Sequence, residues 1–159
     1  MNQTQPFTET IFDSAPIKAA IRRGRGTILL VEDETYLREV TCESLESAGY
    51  RVLKTRNAAE AINAFRQYKT IVKLLLTDVV LPGQNGRDLA NDLRSVCPKL
   101  RIIFTSGYPE NVVTQSGMQE EGMFYLPKPF SLQSLTRKVS QVLEQDGSRK
   151  KQCVKGSRL

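Results

Sequence analysis

The chain contains no histidine and no tryptophan among its 159 residues. Without histidine there is no Ser-His-Asp catalysis, no imidazole metal ligand, and no phosphohistidine carried by the chain itself. Cysteine is sparse. Cys42, Cys97 and Cys153 are odd in number and widely spaced, which suits neither a disulfide framework nor a zinc site and points to a reducing cytoplasm. No apolar run approaches the roughly 18 residues of a membrane span, and residues 1–10 lack the apolar segment of a secretory signal. Acidic residues are missing from one end: residues 147–159 hold five Lys/Arg and no Asp/Glu. Residues 1–26 hold four basic and two acidic residues, while residues 27–146 hold 14 and 15. The net charge of +6 therefore belongs to the ends, and the central part is close to neutral. A nucleic-acid-associated protein acting through the basic tails is the competing reading from another class. It has the charge, but no aromatic residues interleave with it and a neutral domain lies between.

What is present is a domain's worth of alternating pattern. Residues 1–26 read as a flexible basic leader, ending in the Gly-rich run Arg22–Gly26. Thr27–Val31 is a short apolar strand ending in Glu32-Asp33-Glu34. A helix follows, with Leu37, Val40, Leu45 and Ala48 near the 3.6 period and Gly49 at its end. Arg51–Thr55 is a second strand. Asn57, with Glu60 three residues on, resembles a capping box opening a helix that carries Ala58, Ala61, Ile62 and Phe65. Lys73–Thr77 delivers Asp78 and then the turn residues Pro82-Gly83 and Asn85-Gly86. The next helix carries Leu89, Leu93 and Val96 and stops before Pro98. Leu100–Phe104 is a fourth strand. A weak helix over 109–118 and a fifth strand, Met123–Leu126, follow. Ser131 caps a last helix carrying Leu132, Leu135, Val139, Val142 and Leu143, and a disordered basic tail is expected over residues 147–159. Apolar strands alternating with amphipathic helices predict an α/β fold: a doubly wound, five-stranded parallel sheet, flavodoxin-like in the order 2-1-3-4-5, with five helices. Residues 27–146 form that domain.

Ligands in such sheets sit beyond the carboxyl ends of the strands. Those ends bring together Glu32 and Asp33 from strand one, Asp78 from strand three, Thr105 and Ser106 from strand four and, just past strand five, Lys128. Adjacent carboxylates repel in a partly dry site, and a divalent cation relieves them. An oxygen-only donor set with room for water suits Mg²⁺. An Asp nucleophile, a metal, a hydroxyl and a lysine together make a phosphoryl-transfer site. Alone, each residue has a plainer role: helix N-terminal acid, turn residue, strand-end hydroxyl, solvated lysine. Their coincidence at successive strand ends is what carries the chemistry. A phosphatase with an Asp nucleophile of the haloacid-dehalogenase type would need a second Asp where Val80 stands.

Four motifs carry a family resemblance: VEDE (Val31–Glu34), LLLTDVVLPGQNG (Leu74–Gly86), FTSGY (Phe104–Tyr108) and LPKPF (Leu126–Phe130). Together they resemble the receiver domain of two-component response regulators, of the single-domain, chemotaxis-regulator-like kind, and also receivers at the C-terminus of hybrid sensor histidine kinases. The resemblance covers about Gly26–Gln145. It implies that Asp78 is the phosphoacceptor, that Asp33 binds Mg²⁺ directly and Glu32 through water, and that Val80 offers its backbone carbonyl. Thr105 becomes the switch hydroxyl, Tyr125 the switch aromatic and Lys128 the phosphate-contacting lysine, with a cis Lys128–Pro129 bond. The implied partners are a sensor histidine kinase or histidine phosphotransfer protein and a downstream protein target, with a weak homodimer left open. The protein would be cytoplasmic and bacterial, and no enzyme beyond its own phosphoryl transfer and dephosphorylation. The 13 residues after Asp146 are too few for an output domain, which predicts a single-domain regulator or relay intermediate. The side chains of Val80 and Gly107 cannot orient an attacking water, which predicts a long-lived phosphorylated state.

Overall fold

A computed structural model describes residues 25–107 and 121–152. Five parallel strands form one sheet in the order β2-β1-β3-β4-β5: β1 Thr27–Val31, β2 Arg51–Thr55, β3 Val72–Asp78, β4 Arg101–Ser106 and β5 Met123–Pro127. The helices are α1 Thr35–Ser47, α2 Ala58–Tyr68, α3 Gly86–Val96 and α4 Leu132–Gln152. The expected order is therefore found, with four helices among the described residues. The expected helix over 109–118 lies outside them, as does Tyr108.

Strand residues alternate between two cores because successive side chains point to opposite faces. Leu29, Val31, Leu75, Ile102 and Phe104 pack with Ala58, Ala61 and Phe65 of α2 and Leu89, Ala90 and Leu93 of α3. Ile28, Leu30, Leu74, Leu76 and Ile103 pack on the other side with Cys42 and Leu45 of α1 and Leu135, Val139 and Val142 of α4. Helices on both faces leave the central strands β1, β3 and β4 largely dry, which explains their apolar runs, while the edge strands β2 and β5 are mostly half-buried. Asn57 caps α2, its side chain accepting from the Glu60 amide at 2.9 Å. The Glu60 carboxylate reaches the Arg56 amide, also at 2.9 Å, one residue before the usual capping-box partner.

Four expectations need correction. In α1 the inward stripe is Arg38, Thr41, Cys42 and Leu45, and Leu37 and Val40 are only half-buried. Its polar members hid the period. Val96 (62% exposed) and Leu132 (41% exposed) sit at helix ends, beyond the reach of the core. Strands β3, β4 and β5 run one or two residues further than expected, so Asp78 and Thr105 are strand residues. Finally, α4 continues through Gly147 to Gln152, so residues 147–152 are helical where a disordered tail was expected. A glycine inside a helix costs only about 1 kcal/mol, and the Arg, Lys and Gln that follow are good helix formers.

Candidate functional site

Register explains why the charged residues meet. Val31 pairs with Thr77, Thr77 with Phe104, Asp78 with Thr105, and Thr105 with Leu126. Glu32 is thus the next residue beside Asp78 across the sheet, Thr105 flanks it on the other side, and Lys128 follows Leu126 by two. The backbone beyond β5 is held by the Lys128 amide, which donates to the Ser106 carbonyl at 2.7 Å, and the Lys128–Pro129 peptide is cis.

The Lys128 ammonium donates to Asp78 Oδ2 at 2.6 Å, with both side chains largely shielded (28% and 19% exposed). Asp78 Oδ1 accepts from the Val80 amide at 3.3 Å. Thr105 is buried, and a gap of about 10 Å³ beneath it is lined by Glu32, Thr41, Thr77 and Phe130. That is scarcely room for one water. Phe104 and Tyr125 stack with ring centroids 5.3 Å apart, and Tyr125 is half-buried. Burial raises its phenol above the ordinary range, opposed by the Arg87 charge.

The acid loop after β1 is clamped on both sides. The Glu32 amide donates to the Thr55 carbonyl at 3.1 Å, and its own carbonyl accepts from Arg38 at 2.9 Å. Glu32 Oε1 turns back to the Glu34 amide at 3.1 Å. Burial pushes the Glu32 carboxyl above its ordinary value. The Glu34 amide and Lys128 pull it down, while Asp33 and Asp78 add to the rise. For Lys128, burial favours the neutral amine, but the bond to Asp78 and the charges of Asp78, Glu32 and Asp33 outweigh it and hold the ammonium above its ordinary value. These couplings place three carboxylates and one ammonium within electrostatic reach, a net charge of −2.

That surplus and the oxygen-only donor set fit a hard divalent cation. Among the described residues, however, no three His, Cys, Asp or Glu side chains close into a cage around a metal ion. Water would have to complete the coordination, which is the usual habit of Mg²⁺.

An ionised carboxyl whose value is raised by folding costs stability. The cost is absent below its ordinary value of 4.5 and complete above the raised one. In EDTA, Glu32→Gln should therefore melt at a higher temperature than the parent at pH 7 and at nearly the same temperature at pH 4. A lower midpoint at pH 7 would contradict the buried, like-charged setting.

Two contributors escaped sequence reasoning. Arg38 looks like an ordinary surface residue of an amphipathic helix; its signal is its place seven residues before Leu45, on the inward stripe. Gly86 looks like turn punctuation, but the Asp78 main chain presses against it so closely that an added Cβ would lie 2.0 Å from the Asp78 carbonyl oxygen.

The fold and these strand ends define a doubly wound α/β domain with a charged, oxygen-rich pocket at its switch point. The chain belongs to the response regulator receiver domain family, whose model matches residues 28–140. It is 34% identical over 140 residues to the sensor kinase CckA of Brucella abortus, covering 83% of this chain and 15% of that protein. It is 32% identical over 116 residues to the response regulator receiver protein CpdR of the same organism, covering 73% of this chain and 95% of CpdR. The DNA-binding transcriptional regulator NtrC of Azospirillum brasilense is 35% identical over 119 residues, 74% of this chain and 24% of NtrC. Among solved structures, the receiver domain of the hybrid histidine kinase CckA aligns with a TM-score of 0.63 at 35% identity, covering 74% of this chain and 99% of that one. No helix among the described residues is long and apolar enough to cross a membrane.

Proposed function

We propose that this receiver domain accepts a phosphoryl group from a phosphohistidine onto Asp78 and passes the signal on through altered protein contacts. The observation that carries this reading is the Lys128–Asp78 contact of 2.6 Å, set beside Glu32 and Asp33 at the carboxyl end of the central strand. An Asp side-chain oxygen attacks phosphorus, the P–N bond breaks, and the departing imidazole keeps its electron pair and takes a proton from solvent. With no histidine among these 159 residues, the donor histidine lies outside them, on a sensor histidine kinase or a histidine phosphotransfer protein. The kinase relatives support that class of partner.

Mg²⁺ would be held by Asp33, Asp78 and the Val80 carbonyl, with Glu32 acting through water, and would neutralise charge on the phosphoryl oxygens. Lys128 supplies the protein's own cation for the same oxygens. The Thr105 hydroxyl, level with Asp78 in the register, is the group to bond the phosphoryl, and Tyr125 the aromatic to repack behind it. Phosphorylation adds close to two negative charges, enough to bias a two-state element toward contact with a downstream protein. The exposed Val80 side chain gives an attacking water no polar partner, in keeping with a long-lived phosphorylated state. Residues 27–146 act as the receiver unit, working in the cytoplasm and catalysing only their own phosphoryl transfer and its reversal.

The test is incubation with Mg²⁺ and acetyl phosphate followed by intact mass. One added phosphoryl group is expected in the parent and none in Asp78→Asn. An unmodified parent, or a modified Asp78→Asn, would overturn the proposal.

A further inference from the structure

Helix α1 begins against the usual economy of helix ends. Its N-cap, Glu34, makes no side-chain cap, and the first turn holds no acidic residue. One turn in stands a cation, Arg38, only 7% exposed. A positive charge near a helix N-terminus opposes the macrodipole, and burying it is costly unless it is paired. Among the described residues no carboxylate pairs with its guanidinium; Glu39 and Glu60 feel its charge only at longer range.

The guanidinium spends its donors on the acid loop. Nη1 donates to the Glu32 carbonyl at 2.9 Å and to the Asp33 carbonyl at 3.3 Å, and Nη2 reaches Thr35 Oγ1 at 3.4 Å. The two carbonyls belong to the two consecutive residues whose carboxylate charges both act on Lys128. With the Glu32 amide held by Thr55, Arg38 closes the second side of a clamp on the peptide that carries both acids. A core residue placed only for packing would not need five fixed N–H donors. A lysine has three donors but only one nitrogen on a flexible stem, so it lacks the rigid plane that aims Nη1 at both carbonyls while Nη2 reaches Thr35.

We infer that Arg38 is a positioning residue: by gripping the main-chain carbonyls of Glu32 and Asp33 it holds the acid pair in the arrangement that receives a divalent cation beside Asp78. This rests on the Mg²⁺-dependent reading of the site. The hydrogen bonds of Arg38 go to loop carbonyls and to Thr35, not to the Glu32, Asp33 or Asp78 side chains, so it acts through the loop main chain. Groups that orient metal ligands typically change metal affinity by roughly 10–100-fold when removed.

The test measures Mg²⁺ affinity by titration calorimetry and thermal midpoint in EDTA, on the full chain, for the parent, Arg38→Lys, Arg38→Met and Leu45→Ala. Leu45 lies two turns further along the same helix, is fully buried and packs in the core with Ile28, Leu135 and Val139. Mg²⁺ binding should weaken about tenfold or more in both Arg38 variants and stay within about twofold in Leu45→Ala, even though Leu45→Ala loses comparable or greater stability. Exchange of the Glu34 amide, which bonds Glu32 Oε1, should quicken in the Arg38 variants alone. Arg38→Lys keeps the charge and much of the bulk, so it supplies the answer if Arg38→Met fails to fold. Parent-like Mg²⁺ affinity in Arg38→Lys, or equal weakening in Leu45→Ala, would overturn the positioning role. A parent that binds no Mg²⁺ would instead overturn the site reading on which that role rests.

Discussion

Gly86→Ala should be the most damaging single-methyl change in the domain. Gly86 has no positive φ, so alanine is conformationally acceptable there and the obstacle is purely spatial. The added Cβ would sit 2.0 Å from the Asp78 carbonyl oxygen, 3.1 Å from its carbonyl carbon and 3.3 Å from Thr77 Oγ1. An ordinary carbon–oxygen contact is about 3.3 Å, so more than an ångström of movement is required. Strand β3 cannot supply it, because β1 and β4 hold it on both sides. Helix α3 must back away, and the bond from the Gly86 amide to the Val79 carbonyl, 2.9 Å, goes with it. Overpacking of this kind costs about 1–3 kcal/mol and the lost bond about 1 kcal/mol more. At ~2–4 °C per kcal/mol for a chain this long, the midpoint should fall by roughly 5–15 °C. Phosphorylation by acetyl phosphate should slow as well, because the displaced main chain carries Asp78. Gly83→Ala is the control. Gly83 has φ of +81° and open space around it, so only the left-handed strain of about 1–2 kcal/mol applies. Gly86→Ala with a midpoint within about 2 °C of the parent would show that α3 yields freely.

Lys128→Met should separate the two tasks of that lysine. In the parent, its ammonium is coupled to Asp78, Glu32 and Asp33 together. Without it the three carboxylates face one another with nothing between. In EDTA at pH 7 the variant should be less stable than the parent. The sign follows from the raised value of Lys128: its contribution is fully present below the ordinary lysine value of 10.5 and fades as pH rises through the folded value. The gap between parent and variant should therefore persist through neutral pH and close in strong alkali. Mg²⁺ binding should tighten, because one competing positive charge has left Asp78 Oδ2. Phosphorylation should nevertheless slow by about 10²-fold or more, the usual loss when a preorganised donor to developing charge is removed. A variant phosphorylated at the parent rate would remove Lys128 from the transfer step.

These two predictions rest on different layers of information. Asp78, Lys128 and the acid pair were legible from residue order, because each lies where an apolar run stops. A charge at the mouth of a buried strand has few other reasons to be there. A doubly wound parallel sheet followed from the alternation of apolar runs with amphipathic helices, since parallel strands need crossovers and the crossovers have one hand, while the order 2-1-3-4-5 came with the family motifs. The inward face of α1 was not legible in the same way. Its stripe of Arg38, Thr41, Cys42 and Leu45 is mostly polar or small, and hydrophobic periodicity reports only residues that are hydrophobic. The end of α4 was misplaced for the opposite reason: Gly147 is a local stop signal, and the good helix formers after it carry the helix on.

The sequence by itself determined the sheet, its order and the identity of the charged residues at its carboxyl edge. Those properties are written in short-range pattern: runs, turns and the sign of charges. Only the tertiary structure decided which residues hold that edge in shape. Arg38 meets the Glu32 and Asp33 carbonyls because a helix axis lies at one angle to one strand. Gly86 meets the Asp78 carbonyl because a tight return brings α3 against β3. Close approach between main-chain atoms of separate elements leaves no pattern along the chain, since it depends on distances set by packing across the fold.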